Sequence, residues 1–232
     1  MSFFLKERKE HLREKMDQPN CNKVLLFNTY QQFSTINRLI SGWQHIYRNH
    51  IRPVLSDSSK KYSLLDIGCG GGDIIKMIDR LAKNDGIKLQ ITGIEPDGRA
   101  LEYLSDQKWP ENISFINATS DDLARENRSF DIVISNHLMH HLKEPELKTV
   151  CEDAQKLVSK KVIFNDIERS DFGYASFKVV ATPFFRNSFI VEDGLTSIKR
   201  SFKKEELKRA LPKSWQVHRQ FPFRLLALYE RS

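Results

Sequence analysis

The residues best suited to chemistry fall in one stretch, Leu64-Leu65-Asp66-Ile67-Gly68-Cys69-Gly70-Gly71-Gly72-Asp73. An apolar run that ends in glycines reads as a buried strand entering a tight turn, with a helix behind it. Glycine has no Cβ, so backbone can come close to a ligand, and the first turn of the helix offers N–H groups without partners of their own. That chemistry suits a nucleotide-type ligand. The spacing Gly68, Gly70, Gly72 departs from the dinucleotide pattern G-x-G-x-x-G, because Asp73 stands where its last glycine belongs. No Gly-Lys-Ser/Thr follows, so the turn is not a nucleoside triphosphate loop either. Further along, Glu95-Pro96-Asp97 places an acid 23 positions beyond Gly72. In a doubly wound sheet this carboxylate sits beside the first loop and can accept hydrogen bonds from a ribose diol, its alternative role being to cap its own turn. Thr119-Ser120-Asp121-Asp122 forms a polar loop that would border the base end of a bound nucleoside.

These residues need a scaffold, and from residue 62 onward strand and helix patterns alternate as in a parallel sheet covered on both faces. The expected strands are Ser63–Ile67, Leu89–Glu95, Ile113–Asn117, Phe130–Ser135 and Val162–Ile167. Asp73 is placed to cap the helix after the glycine turn, and Gly86 to end it. A helix over Glu144–Ser159 buries Cys151, which reads as core rather than nucleophile. Near the end, Ser214–Gln220 and Phe221–Tyr229 are separated by a turn only, so they pair antiparallel and make the sheet mixed. The fold class is therefore α/β: a Rossmann-like, doubly wound, seven-stranded mixed sheet with a C-terminal antiparallel hairpin.

Two segments lie outside the alternation. Residues 1–55 are helical in pattern, and Leu26, Tyr30, Phe33, Ile36, Ile40, Trp43 and Tyr47 make one continuous apolar stripe. Such a helical cap covers the pocket or forms a dimer seam, and Asn37-Arg38 beside the stripe reads as helix surface. Residues 56–232 then form the main domain, with a lid-like insertion at 171–200 after strand five. Its aromatic residues, Tyr174 and Phe177 among them, would line an apolar substrate pocket.

Composition bounds the rest. With 232 residues the chain supports one sizeable core plus an appendage. No apolar run is long enough to span a bilayer. The charged N-terminus lacks the core of a secretory signal, and Cys21, Cys69 and Cys151 form neither a disulfide framework nor a CxxC site. A cytoplasmic monomer or homodimer is the expectation. The net charge is +7, and Leu195–Ser232 supplies it with ten Lys or Arg against three acids. This basic tail is an argument for nucleic acid, but without interleaved aromatic residues a nucleic-acid partner is not expected.

Asp66-Ile67-Gly68-Cys69-Gly70-Gly71-Gly72, Glu95, Ser129-Phe130-Asp131-Ile132-Val133 and His140-His141-Leu142 resemble the successive motifs of class I S-adenosylmethionine-dependent methyltransferases. Glu14-Lys15-Met16-Asp17, Asn165-Asp166-Ile167-Glu168-Arg169-Ser170, Asp193-Gly194-Leu195-Thr196-Ser197 and Phe221-Pro222-Phe223-Arg224-Leu225 are similar to a bacterial subgroup that includes ubiquinone and menaquinone biosynthesis enzymes and small-molecule O-methyltransferases. The resemblance implies S-adenosylmethionine as cofactor. Gly68, Cys69, Gly70 and Gly72 would meet its methionine part, Asp66 would orient the loop, and Glu95 with Pro96 would hold the ribose. Thr119, Ser120 and Asp121 stand where the family places its adenine contact, and Asn136 would line the methionine end. The implied reaction is methyl transfer to a small-molecule acceptor, a hydroxyl of an aromatic or quinol-like compound. Alternatives are a tRNA or rRNA methyltransferase and a non-enzymatic cofactor binder.

A general base is needed only for a hydroxyl still protonated at working pH. His140 and His137 are the candidates, with His141 beside them. Their other readings are a metal cluster, since three imidazoles fall within five residues, and plain packing of the next helix. No metal is assigned. Asp166 and Arg169 could fix a polar end of the substrate, or cap the following helix.

Overall fold

The computed structural model describes residues 4–57 and 59–231. Met1, Ser2 and Phe3 open the stretch expected to lack a signal, and with Ser58 and Ser232 they lie outside the described residues. Seven strands make one sheet: β1 (Lys61–Ile67), β2 (Lys88–Ile94), β3 (Ile113–Ile116), β4 (Phe130–Asn136), β5 (Val158–Ile167), β6 (Gln216–Gln220) and β7 (Arg224–Glu230). Their order is β3-β2-β1-β4-β5-β7-β6. The first five run parallel, and β7 pairs antiparallel with both β5 and β6. The order reverses at β1, where β2 and β4 flank it on opposite sides, and a doubly wound sheet opens its ligand crevice at such a reversal. The expected mixed sheet and terminal hairpin are thus present. Strand ends differ by a few residues, most at β5, which begins four residues before Val162 because Val158 already pairs with Phe130 across an irregularity in the register.

Helices cover both faces because each parallel strand returns through one. On one face α3 (Asp73–Asn84) turns Ile74, Ile75 and Ile78 onto Leu64 and Ile91. On the other, α6 (Glu144–Leu157) and α9 (Lys204–Ala210) bring Leu147, Cys151, Leu157 and Leu207 onto Leu65, Val133 and Phe164. Cys151 is fully buried, as core.

The N-terminal segment departs from expectation in two ways. The helical pattern begins only at α1 (Lys23–Ile40); residues 4–22 form an irregular strap. The apolar stripe is also broken. Gly42 adopts φ 73°, a left-handed conformation that ends α1's direction before α2 (Trp43–Ile46) starts. Trp43 and Tyr47 pack into the main core, whereas Leu26 and Tyr30 make a separate cluster with Ala100 of α4 (Gly98–Ser105) and Phe189. The strap is tied to the segment after β5, which carries α7 (Asp171–Phe184) and α8 (Ile190–Arg200). Asp171 accepts from the backbone of Phe4 and Leu5, Asp193 from that of Lys15 and Met16, and Lys9 N–H donates to Lys199.

Candidate functional site

A cavity of about 490 Å³ opens over the carboxyl ends of β1, β2, β4 and β5. Its floor is the glycine turn. Gly68 and Cys69 N–H both donate to Ile94 C=O, at 2.9 and 3.1 Å, which holds the turn against β2. Gly70 has φ 50°, and a Cβ built there would meet nothing within 4 Å, so its bare Cα faces open space. Gly72 serves another purpose. A Cβ there would lie 2.6 Å from the Trp109 ring, so this glycine admits an aromatic packing contact and is absent from the cavity lining.

Three carboxylates sit at the floor: Asp66, Asp73 and Glu95. Asp66 is buried, its Oδ1 has no hydrogen-bond partner among the described residues, and burial followed by the charges of Asp73 and Glu95 pushes it well above the usual carboxylate range. Burial raises Asp73 to about 6, against the opposing effect of a 2.9 Å hydrogen bond from Asn37 Nδ2. Burial raises Glu95 too, although it accepts from Gly70 N–H at 3.0 Å and Asp97 N–H at 3.1 Å. A cluster of buried acids with one orphaned oxygen and raised affinities for protons is an electrostatic seat for a cationic ligand. Asn37, expected at the surface, is buried here as the donor to Asp73.

The wall opposite is assembled from distant segments. Asp166, near the end of β5, accepts from His140 N–H at 2.8 Å and meets its Nδ1 at 2.7 Å. The other ring nitrogen of His140, Nε2, lies 3.2 Å from Glu14 Oε1, which the strap delivers. Burial alone would lower His140, but Asp166 and then Glu14 raise it to about 9. Burial likewise opposes Glu14's ionisation, yet His141 and His140 bring it down to about 2, and His140 holds Asp166 lower still. Ser197 also donates to Glu14 at 2.7 Å.

Next to it lies a second polar cluster. Arg224, fully buried on β7, donates to Asn136 Oδ1 at 3.0 Å and Asn165 Oδ1 at 3.2 Å, and its Nη1 lies 2.9 Å from His137 Nε2. Burial lowers Arg224 to about 10, and burial with the Arg224 charge pushes His137 well below its usual value. His137 is therefore a neutral acceptor whose Nε2 lone pair is engaged by arginine.

Above floor and wall the lining becomes apolar. Phe33, Ile36 and Ile40 of α1 face Phe177, Val180 and Ala181 of α7, with Phe185 and Phe223 near them. The two helices thus enclose an apolar vestibule over a charged base.

Of the residues singled out from sequence, Asp66, Gly68, Cys69, Gly70, Glu95, Pro96, Asn136, His137 and His140 line this cavity, whereas Asp166, expected at the substrate, is buried as the hydrogen-bond partner of His140 and does not line it. Thr119, Ser120 and Asp121 do not. They start α5 (Ser120–Arg125): Thr119 and Asp122 form a reciprocal cap, Ser120 donates to Asp153, and Asp121 pairs with Arg125. Arg169 is also elsewhere. It is buried as a clasp, donating to Leu5 and Lys6 C=O, to Ser201 C=O at 2.6 Å and to Glu206 at 2.6 and 2.9 Å. Tyr174 turns away from the cavity, its ring against Phe4 and under the Lys199 ammonium. Sequence reasoning about single sites missed Tyr30, Asn37, Asp73, Asp193 and Arg224 as lining residues, and Glu14 as the partner of His140. The basic tail is partly consumed internally, since Arg224 and Arg200 are buried, Arg219 pairs with Glu168 at 2.7 Å and Arg231 bonds Val158 C=O. No helix among the described residues is long and apolar enough to cross a membrane.

Residues 64–161 match a family model described as a methyltransferase domain. An uncharacterized methyltransferase of Bacillus licheniformis is 25% identical over 129 residues, 53% of this chain and 56% of that protein. A ubiquinone biosynthesis O-methyltransferase of Cereibacter sphaeroides is 30% identical over 94 residues, 40% of this chain and 36% of that protein. The alignments therefore span about half or less of these curated relatives. Among solved structures, the plantazolicin methyltransferase BpumL in complex with a monoazolic desmethylPZN analog and SAH superposes with a TM-score of 0.56 at 13% identity, covering 88% of this chain and 85% of that one. At that identity the likeness is one of fold.

Proposed function

Because the chain carries a class I S-adenosylmethionine-dependent methyltransferase domain, we propose that it transfers a methyl group from that cofactor to a small-molecule acceptor, at a hydroxyl of an aromatic or quinol-like compound. The observation that carries this reading is the pairing, in one cavity, of a floor of buried carboxyl groups with an aromatic vestibule. The floor fits the cofactor: a cation bearing an ammonium and a sulfonium would give the orphaned Asp66 oxygen a partner and relieve the repulsion among Asp66, Asp73 and Glu95.

When bound, the cofactor supplies a methyl group on a sulfonium, which leaves as a neutral thioether without acid assistance. The chain's own part is mainly alignment and exclusion of water. Gly68 and Gly70 let the floor backbone approach the methionine part, Glu95 offers oxygens to the ribose hydroxyls, and Asn136 borders the same end. Phe33, Phe177 and Phe185 surround the acceptor and keep the transfer dry. Both ring nitrogens of His140 and Nε2 of His137 are already engaged, so the two histidines act as positioning groups rather than free bases. This favours acceptors acidic enough to ionise unaided, such as phenols and quinols conjugated to a carbonyl. The same enclosure speaks against an RNA acceptor, whose base would have to pass between α1 and α7.

The test is calorimetry with S-adenosylmethionine followed by a transfer screen with labelled methyl across phenols, quinols and bulk tRNA. Saturable cofactor binding and label on a phenol or quinol are expected. Absence of cofactor binding overturns the reading, and label on tRNA alone replaces the acceptor.

A further inference from the structure

We propose that Glu14, His140 and His141 form a binding site for one divalent transition-metal ion of the zinc type, at the edge of the cavity. Among the described residues these three offer ligand atoms that all lie within 4.8 Å of one another. The finer distances fit the size of an ion. Glu14 Oε1 is 3.2 Å from His140 Nε2 and 3.8 Å from His141 Nε2. Neighbouring ligands on a tetrahedral zinc, with bonds near 2.0–2.1 Å, stand about 3.3 Å apart.

The surroundings carry the argument further than the distances. A metal-bound imidazole characteristically donates its other N–H to a carboxylate, which fixes the tautomer and turns the free lone pair toward the ion. Both histidines have that arrangement: His140 Nδ1 lies 2.7 Å from Asp166 Oδ1, and His141 Nδ1 lies 3.2 Å from Asp17 Oδ2. The two rings stack at 4.2 Å with planes 37° apart, and both present Nε2 to the one oxygen of Glu14. The nearby arginines do not compete for those nitrogens. Arg8 donates to the backbone carbonyls of His140 and Leu142, and Arg200 to that of His141, with Arg200 Nη1 3.6 Å from Asp17. Ser197 Oγ donates to the same Glu14 oxygen at 2.7 Å and so fixes its direction.

Three protein ligands leave a position open, and all three residues line the cavity, so the open position faces the chamber assigned to the acceptor. A water or an acceptor oxygen could fill it. The ion site stands on these residues alone; only its use in orienting the acceptor rests on the methyltransferase reading.

The experiment uses the full chain, stripped with a chelator and titrated with Co²⁺, whose visible bands report low-coordinate N/O ligation, and then with Zn²⁺ as competitor. One equivalent of Co²⁺, displaced by Zn²⁺, is expected. His141→Ala and Glu14→Gln should each weaken binding by tenfold or more, and Asp17→Asn by about tenfold through loss of the carboxylate behind His141. His218→Ala, on exposed β6, should leave it unchanged. His141 is about a quarter exposed, so its variant is expected to fold, and thermal melting checks this; should it fail to fold, Glu14→Gln decides. No stoichiometric binding by the wild type, or equal binding by His141→Ala and His218→Ala, overturns the site. Calorimetry with S-adenosylmethionine on the metal-free chain separates failure here from failure of the proposed function.

Discussion

The floor and the wall of the cavity are both buried and both rich in carboxylates, yet their electrostatics are opposite. At the floor, Asp66, Asp73 and Glu95 have no cationic partner within hydrogen-bonding distance among the described residues, and all three are pushed toward the protonated state. At the wall, Glu14 is held ionised by His141 and His140, and Asp166 by His140, whose imidazole lies between the two carboxylates. The floor is thus unsatisfied until a cation arrives, whereas the metal-free wall is already compensated by the proton on His140, which an ion held by Glu14, His140 and His141 would displace. The difference separates binding from stability: substitutions at the floor should change affinity, and substitutions of His140 should change folding.

The largest effect should come from His140→Ala, which leaves two buried carboxylates without their shared partner. Breaking a buried pair on one side costs about 3–5 kcal/mol, and urea unfolding followed by circular dichroism should show a loss of that order. A loss below about 1 kcal/mol would mean that the wall is not compensated in the way described. Next is Gly70→Val. Its positive φ disfavours any branched residue, and the new side chain would project into the open floor. Affinity for S-adenosylmethionine should fall about a hundredfold, roughly 2.7 kcal/mol, in a folded protein. Affinity within threefold of wild type would erase the contrast between the two regions.

The two regions also differ in how far the sequence reveals them. The floor is contiguous, and its function depends on backbone, so glycines at fixed spacing and an acid after the second strand mark it. The wall is formed by pairings between residues far apart. His140 is visible as part of a histidine cluster, but Glu14 lies 126 positions away and its approach depends on how the strap is fastened to Asp171 and Asp193. The same limit explains the misplaced residues. Arg169 follows β5 as a substrate-binding residue would, yet its guanidinium points back to fasten Leu5, Lys6 and Ser201. Thr119 belongs to a local capping box that local pattern can show, whereas Asn37 looks like helix surface until α3 brings Asp73 to it. The mixed doubly wound sheet and the hairpin were legible because alternation and turn length determine them; the break at Gly42 was not, because the apolar spacing continues across it.

A pH titration sharpens the account of the floor. Asp73 is raised to about 6, chiefly by burial, above its ordinary value near 3.8. A raised acid contributes stability to the empty protein that is complete below its unfolded pKa and is lost as pH rises through about 6. A bound cation reverses the preference, because it favours the carboxylate. S-adenosylmethionine affinity should therefore decline below about pH 6, by up to tenfold per pH unit for one coupled proton, and level off above it. Asp73→Asn, which keeps an acceptor for Asn37, should flatten that slope. An unchanged slope in this variant would move the coupling to Asp66 or Glu95.

The smallest effect concerns the vestibule, where neither charge nor backbone decides. Phe177 on α7 packs against Gly194 on α8 so closely that a Cβ on that glycine would lie 2.5 Å from its ring, and the ring also lines the cavity. Phe177→Ala should open the apolar wall while leaving the floor intact. KM for a phenolic acceptor should rise about three- to tenfold, the range expected when part of one apolar contact is lost, with cofactor affinity unchanged. Steady-state kinetics in parallel with calorimetry measures both. A parallel loss of cofactor affinity would show that α7 closes over the whole cavity, and the chamber would then act as a single unit rather than as a binding floor with a separate acceptor vestibule above it.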